Sequence, residues 1–482
     1  MNAVALALPP PVWLPLAIGG VLLGGIAAAV IGPPVIVPLL GAGLLLAIAR
    51  HPLFGAWLWL GLGPLVVGIA RGQGAMVLRP NEALLLLLAA GIGLRVLWLG
   101  WGGERWWPPL VRIDFAVAGL TVAGSLVPLV LRYGRGLPVT PDDILYALVF
   151  VKYFLAYALI RLAVREPGQV ASCLRVILGV TVVVGIVAIL QVKDLAGVPY
   201  ILDHYYDAPF TAPVGPITER GTSTLATPFG VADVTCMCIA IAIAWLMQGA
   251  KHRLLLLGAA AVFVGGCLAA GSFSGYIGIV VVTLTVGFAR RRLLSLMTAM
   301  VPAGLVAAIL FWPTVANRLE GFDSRMGLPK SWLGRVENLE RFVWPELFSG
   351  LNWLWGVRPA ARIPAPEAWR DWVYIESGHA WLLWAGGVPL LAAFLAMSWI
   401  VGRETFRTAR HGTGPVAIAA AAALAGMAMI FTLMLFDPHL TVRGCADLFF
   451  PLMALAVVGQ AGGWRADVPP HTEPDPCPGR PR

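Results

Sequence analysis

The sequence predicts an all-α, polytopic integral membrane protein of about 12–14 transmembrane helices with one large extracytoplasmic loop. Three observations carry this. The 482 residues are 59% hydrophobic and 12% charged, with a mean hydropathy of +0.81, more apolar surface than a soluble chain of this length can hide. The apolar runs are long and do not alternate, and lipid offers no hydrogen-bond partner to bare backbone, so the spans are helices and not barrel strands. Finally, one polar, aromatic-rich insert, from Pro313 to His379, interrupts the apolar sequence.

Taken in order, windows of about 20 apolar residues fall near 11–31, 33–49, 52–70, 83–101, 113–131, 144–163 and 173–192. They continue near 229–247, 254–270, 273–289, 293–312, 379–400, 415–436 and 444–463. The first two are the pair whose separate crossing the sequence leaves open. Residues 1–464 thus form one helical membrane domain that contains the 313–379 loop, and the Pro- and Gly-rich tail at 465–482 is expected to be disordered and cytoplasmic. No basic segment precedes Val12, so no cleaved signal peptide is expected.

Orientation follows from loop charge. One alternating set of connections, including Arg50, Arg112, Arg165, Arg253, Arg290 and Arg407, carries fourteen Lys and Arg; the other, including Arg79, Arg132, Arg220 and Arg443, carries seven. The richer set is expected inside, with both termini, and the long loop outside. This places Glu376, His379, Arg335, Asp437, His439 and Arg220 on the extracytoplasmic side. The 437–443 loop, Asp-Pro-His-Leu-Thr-Val-Arg, is the densest small polar cluster. The formal net charge of +9 is loop charge for orientation, and no aromatic-basic patch on a soluble domain supports nucleic-acid binding. The six cysteines lie mostly within apolar runs, form no CxxC pair and read as packing residues.

Within the insert, Trp332, Val336, Leu339, Val343 and Leu347 recur at helical spacing and predict an amphipathic helix. Arg335 and Arg341 lie on it and can fork two donors onto a phosphate, or, for Arg341, pair with Glu337. Glu376 and His379, three apart, share one face if helical. His379 can serve as a general base near neutral pH with Glu376 orienting it, or be an imidazole satisfied by a backbone carbonyl. Arg220, in Thr-Glu-Arg-Gly-Thr before the eighth window, suits a diphosphate at a membrane surface, or acts as an interface anchor or partner of Glu219. Gly386, Gly387 and Pro389 permit a broken or closely packed helix beside His379. Lys152 lies near mid-span, where an ionisable group is costly and usually functional. No Walker A, dinucleotide fingerprint, HExxH or Asp-x-Asp pattern appears, and no cofactor or metal is expected.

The segment from Arg220 to Phe229, the Ser-Phe-Ser-Gly turn at 272–275 and the loop closing Glu-Ser-Gly-His-Ala-Trp-Leu-Leu-Trp-Ala-Gly-Gly at 376–387 resemble the O-antigen ligase and O-antigen polymerase family over about residues 200–440. Asp233 stands near the family's usual Asn, no Arg follows Ser274, and Ala380 follows the histidine. The resemblance implies a C-type glycosyltransferase on the outer face of the bacterial cytoplasmic (inner) membrane. Such an enzyme takes a glycan from a polyprenyl-diphosphate-linked oligosaccharide and hands it to an acceptor sugar hydroxyl, alongside other polysaccharide export components. By position His379 is the base or orienting residue, while Arg220 and Arg335 bind the diphosphate. A repeat-unit polymerase leads. A ligase acting on a lipid core shares the donor chemistry. A transporter would show broken helices in repeated halves, and no such halves or fixed-period repeat are visible. A non-catalytic assembly subunit would tolerate substitution of His379 and Arg220.

Overall fold

The structure, a computed structural model, describes residues 33–69, 78–103, 106–207, 217–310, 312–313, 316, 330–365 and 372–459. The window at 11–31, part of the polar insert and the tail at 465–482 lie outside them. The first helices are α1 (Pro33–Arg50), α2 (Pro52–Val66), α3 (Pro80–Trp101), α4 (Arg112–Gly124), α5 (Leu126–Gly134), α6 (Pro141–Ala163), α7 (Pro167–Val192) and α8 (Val198–Tyr205). A second group comprises α9 (Pro228–Met247), α10 (Arg253–Ala269), α11 (Phe273–Ala289) and α12 (Leu293–Leu310). The insert holds α13 (Lys330–Asn338), α14 (Trp344–Leu347), α15 (Asn352–Trp355), β1 (Arg362–Pro364) and β2 (Trp372–Tyr374), and the chain closes with α16 (Gly378–His411), α17 (Gly414–Leu433) and α18 (Cys445–Ala456). Several of these helices start on proline, whose missing N–H costs nothing in a first turn and whose φ is already helical.

Every described candidate window is helical, but fewer helices have full crossing length than the sequence suggested. Among the described residues eight are long and apolar enough to cross a membrane, or nine if the pair around His51, bent by 119°, counts as one span. The apolar helices Arg253–Ala269, Phe273–Ala289 and Cys445–Ala456 are shorter, at most 17 residues. At 1.5 Å per residue these reach about 25 Å, less than a hydrocarbon core of about 30 Å. The insert also contains a two-stranded antiparallel sheet, with Arg362 opposite Tyr374 and Ile363 opposite Val373.

The core forms around α9 and α17, whose apolar windows are 83% and 72% buried, while α12 is peripheral. Small residues let these helices approach: a β-carbon on Gly266 would lie 2.9 Å from Gly185 Cα, and one on Gly278 would lie 3.0 Å from Cys236 Sγ. Among the described residues the bundle holds ion pairs in its interior. Arg161 grips Asp114 at 3.0 Å, with the Tyr157 hydroxyl donating to the same carboxylate, and Lys152 Nζ sits 2.9 Å from Asp447.

The insert is bolted to the bundle by arginines. Arg358 donates to Asp143 at 3.0 Å, Arg132 donates to the Val357 carbonyl at 2.8 Å, and Arg135 reaches both the Gly356 carbonyl and Asn352 Oδ1. Asp143 is fixed for this by its capping exchange with Thr140 at the start of α6. The amphipathic helix is not one continuous face as the spacing predicts. A π-helical turn at Leu339–Val343 shifts the register, so Val343 and Leu347 are buried while Val336 is 53% exposed.

α16 is not one straight span either. Gly387 takes φ +64° inside it, and the ring centroids of His379 and Phe394 stand 6.0 Å apart. Fifteen residues of straight helix would separate them by about 22 Å. The chain therefore folds back at Gly387, making a short helix over 378–386 that packs on the longer one after it. The break frees the Trp384 carbonyl, which accepts from the Val357 and Arg358 amides of the insert.

Candidate functional site

At the insert end of the bundle, four segments far apart in sequence converge. The first is the 217–223 loop before α9. Gln191, fully buried in the last turn of α7, grips its backbone: the amide oxygen accepts from the Thr222 and Ser223 N–H groups at 2.9 and 2.8 Å. The amide nitrogen donates to the Ile217 and Arg220 carbonyls at 2.8 and 3.2 Å. Ser223 accepts a left-handed backbone, φ +48°, and its hydroxyl donates to the Val184 carbonyl. So held, Arg220 donates through Nε to the Ala270 carbonyl and lays its guanidinium 5.4 Å from the Phe229 ring centroid.

The second segment is the start of α9, carrying Phe229 and Asp233. A β-carbon on Gly230 would overlap the Arg443 carbonyl, so this turn lies directly against the third segment, the 437–443 loop. There His439 and Asp233, both with no exposed side-chain surface, form an ion pair with Nδ1 2.8 Å from Oδ2. The Phe229 ring packs edge-on to the imidazole. His439 Nε2 is buried and has no hydrogen-bond partner among the described residues. Burial alone would depress this imidazole, yet the charge and hydrogen bond of Asp233 hold it above its ordinary range.

The fourth segment is the insert. Trp332 stacks on Phe436 at 4.6 Å, which turns Arg335 inward. Arg335 Nη2 lies 2.9 Å from Asp437 Oδ2, and its Nε lies 3.7 Å from Glu376 Oε1. Asn338 also donates to Glu376, at 3.2 Å. Burial pushes the Asp437 carboxyl above the usual carboxylate range, against the opposing pull of Arg335, His439 and Arg220. A flanking cluster joins Arg79 and Arg443 to Asp207, at 3.4 and 2.9 Å.

His379 occupies the first turn of the short helix. Its amide and that of Gly378 donate to the Met434 carbonyl, at 3.3 and 2.8 Å, and Gly378 packs on Met434 Sδ so closely that a β-carbon there would overlap it. The half-buried ring points edges at Phe394 and Phe431, and Nδ1 has no hydrogen-bond partner among the described residues.

Of the residues singled out from sequence, Arg335 and Glu376 meet directly, Arg220 reaches the same cluster through Phe229 and the charge it exerts on Asp437, and His379 adjoins it through the Met434 turn. One expectation is corrected. Glu376 does not share a helical face with His379, because the helix begins at Gly378 with Ser377 as its cap, and the contacts of Glu376 go to Arg335 and Asn338. Arg341 stays on the exposed flank of the insert helix, its guanidinium 4.9 Å from the Phe342 ring. Ser272 and Ser274 hydrogen-bond to each other, both buried.

Asp437, His439, Asp233 and Gln191 were not singled out as site residues. A signal existed for each: the first two lie in the densest polar loop, and the others are polar groups inside apolar windows. Among the described residues no group of three or more His, Cys, Asp or Glu side chains is placed to hold a metal ion. Chemically, the arrangement offers two arginines for an anion, a buried carboxyl paired with one of them, and a half-exposed imidazole. No family model and no curated protein matches this chain.

Proposed function

We propose that this multi-pass membrane protein is a glycosyltransferase: a repeat-unit polymerase that moves glycan from a polyprenyl-diphosphate-linked donor to an acceptor sugar hydroxyl at the outer face of the bacterial inner membrane. The observation that carries the reading is the pairing of Arg335, from the insert, with one buried carboxyl, Asp437, which also feels the charge of Arg220 and lies beside the turn that carries His379. A diphosphate group competes with Asp437 and Glu376 for the guanidinium fork of Arg335.

The reaction then asks little more of the protein. The acceptor oxygen attacks the anomeric carbon and forms the new C–O bond. The bond from that carbon to the diphosphate oxygen breaks, and the electron pair leaves with the diphosphate, whose charge Arg220 and Arg335 stabilise. The hydroxyl proton passes to His379, whose ring is half-exposed at the membrane end of the cluster. Transport draws less support, because Lys152 and Asp233, ionisable groups inside apolar windows, are each held by a protein partner, Asp447 and His439.

The test is purified protein in lipid, given a polyprenyl-diphosphate-linked repeat unit, with glycan products resolved by size. The wild type is expected to build a ladder, and His379→Ala and Arg335→Gln proteins with unchanged melting temperatures to lose it by at least about 100-fold. A ladder undiminished in both variants sinks the reading. Transfer seen only on addition of a lipid-core acceptor replaces polymerase by ligase.

A further inference from the structure

The end of the bundle remote from this site carries a second concentration of positive charge. From the Ser272 turn, α11 runs 17 residues, about 25 Å, to Arg290-Arg291-Arg292. Two cavities of about 600 and 610 Å³ open there, and Arg292 lines both. Arg253 lines the first with Arg292; Arg291 and Arg410 line the second with it.

These arginines differ from Arg290 beside them. Arg290 is a structural clasp, donating to the Gly412 and Ala417 carbonyls at 3.1 and 3.2 Å. Arg253, Arg291 and Arg292 make no ion pair with a carboxylate among the described residues; Glu404, a carboxylate of α16, is paired with Arg112 instead. Positive charge is therefore gathered around two hollows without its counter-charge.

The walls of the hollows are apolar and face outward. Leu257 lines the first, and Phe288 and Leu294 line the second; all three are more than half exposed. Helix α12, which starts at the second cavity, has only 6% of its apolar window buried within the protein. Basic side chains that served only to orient the chain in the membrane would need neither hollows nor an apolar wall beside them.

We propose that this pair of cavities seats an anionic phospholipid bearing two phosphates, one phosphate in each hollow with Arg292 between them, and acyl chains lying along α12. A free inorganic anion would use the guanidinium groups and gain nothing from Leu257, Phe288 and Leu294. The lipid uses both. The site is independent of the glycan-transfer reading, since none of its residues belongs to that cluster.

The experiment is native mass spectrometry of the full-length protein released from vesicles of phosphatidylethanolamine doped in turn with diphosphatidylglycerol, phosphatidylglycerol or nothing. The wild type is expected to retain one diphosphatidylglycerol at least tenfold more strongly than phosphatidylglycerol. Arg292→Gln should weaken that retention roughly fivefold, and Arg291→Gln/Arg292→Gln more, in keeping with the attraction each basic group near a membrane contributes. Melting temperature in phosphatidylethanolamine alone checks folding; if the double variant fails it, Arg253→Gln takes its place. Equal retention of the lipids overturns the proposal. So does displacement by millimolar inorganic phosphate, or an equal loss in Arg50→Gln, an exposed arginine at the end of α1 that lines neither hollow and would report only diffuse charge.

Discussion

At the residue scale, the pair formed by His439 and Asp233 has the most readable consequence. Burial works against a charged imidazole, and the neighbouring carboxylate outweighs it, so His439 binds its proton more tightly folded than unfolded. A raised folded value means stability that is fully present below the unfolded pKa of about 6.5 and lost as pH rises through the folded one. The melting temperature of the wild type should therefore fall between about pH 6 and pH 9 by more than that of Asp233→Asn. The variant should itself be less stable by about 1–3 kcal/mol near neutral pH, because the buried imidazole loses the carboxylate that holds it and gives up its proton. A scan of melting temperature against pH for both proteins checks this; parallel curves would remove the imidazolium from the account. Asp437 and Arg335 also act on His439, so Asp437→Asn belongs in the same series. The partners of this pair are 206 residues apart, which is why the sequence marked each end as polar and could not join them.

At the element scale, the sequence showed the apolar windows, the insert and the glycines that allow a break, and those among the described residues became structure. What it could not show was direction. Periodicity treats 379–400 as one rod, whereas Gly387 turns it back on itself. The left-handed φ there, and the Leu354 carbonyl that a β-carbon would overlap, leave room for no other residue. Gly387→Ala should cost at least about 1–3 kcal/mol and loosen the docked 352–358 segment. Limited proteolysis near Asn352 is the measurement: cleavage as slow as in wild type would mean that the turn tolerates a side chain. Glu376 and His379 fail to share a helical face for a related reason. A spacing of three matters only inside a helix, and this one starts at Gly378, capped by Ser377, too late for Glu376 to belong to it.

For the whole molecule, the described contacts sort the connections into two ends. Arg79, Arg132, Asp207, Arg220, Arg335, Asp437 and Arg443 gather with the insert, while Arg112 pairs with Glu404 and Arg290 meets the Gly412 turn at the other end. Loop charge leads to the expectation that the insert end faces outward. Lys193 and Arg407 are exposed at opposite ends, and five cysteines are buried. In a chain carrying Cys477→Ser, a membrane-impermeant maleimide should label Lys193→Cys in intact cells and Arg407→Cys only after permeabilisation. Labelling of both from one side would break the grouping.

The short helix over 378–386 has protein at each tip. Its first amides are held by the Met434 carbonyl, and its freed Trp384 carbonyl is held by Val357 and Arg358 of the insert. Nine residues make a stiff strut about 14 Å long. His379 and the insert are thus two ends of a single lever, so that a displacement of the 354–358 segment is passed through one rigid body to the imidazole.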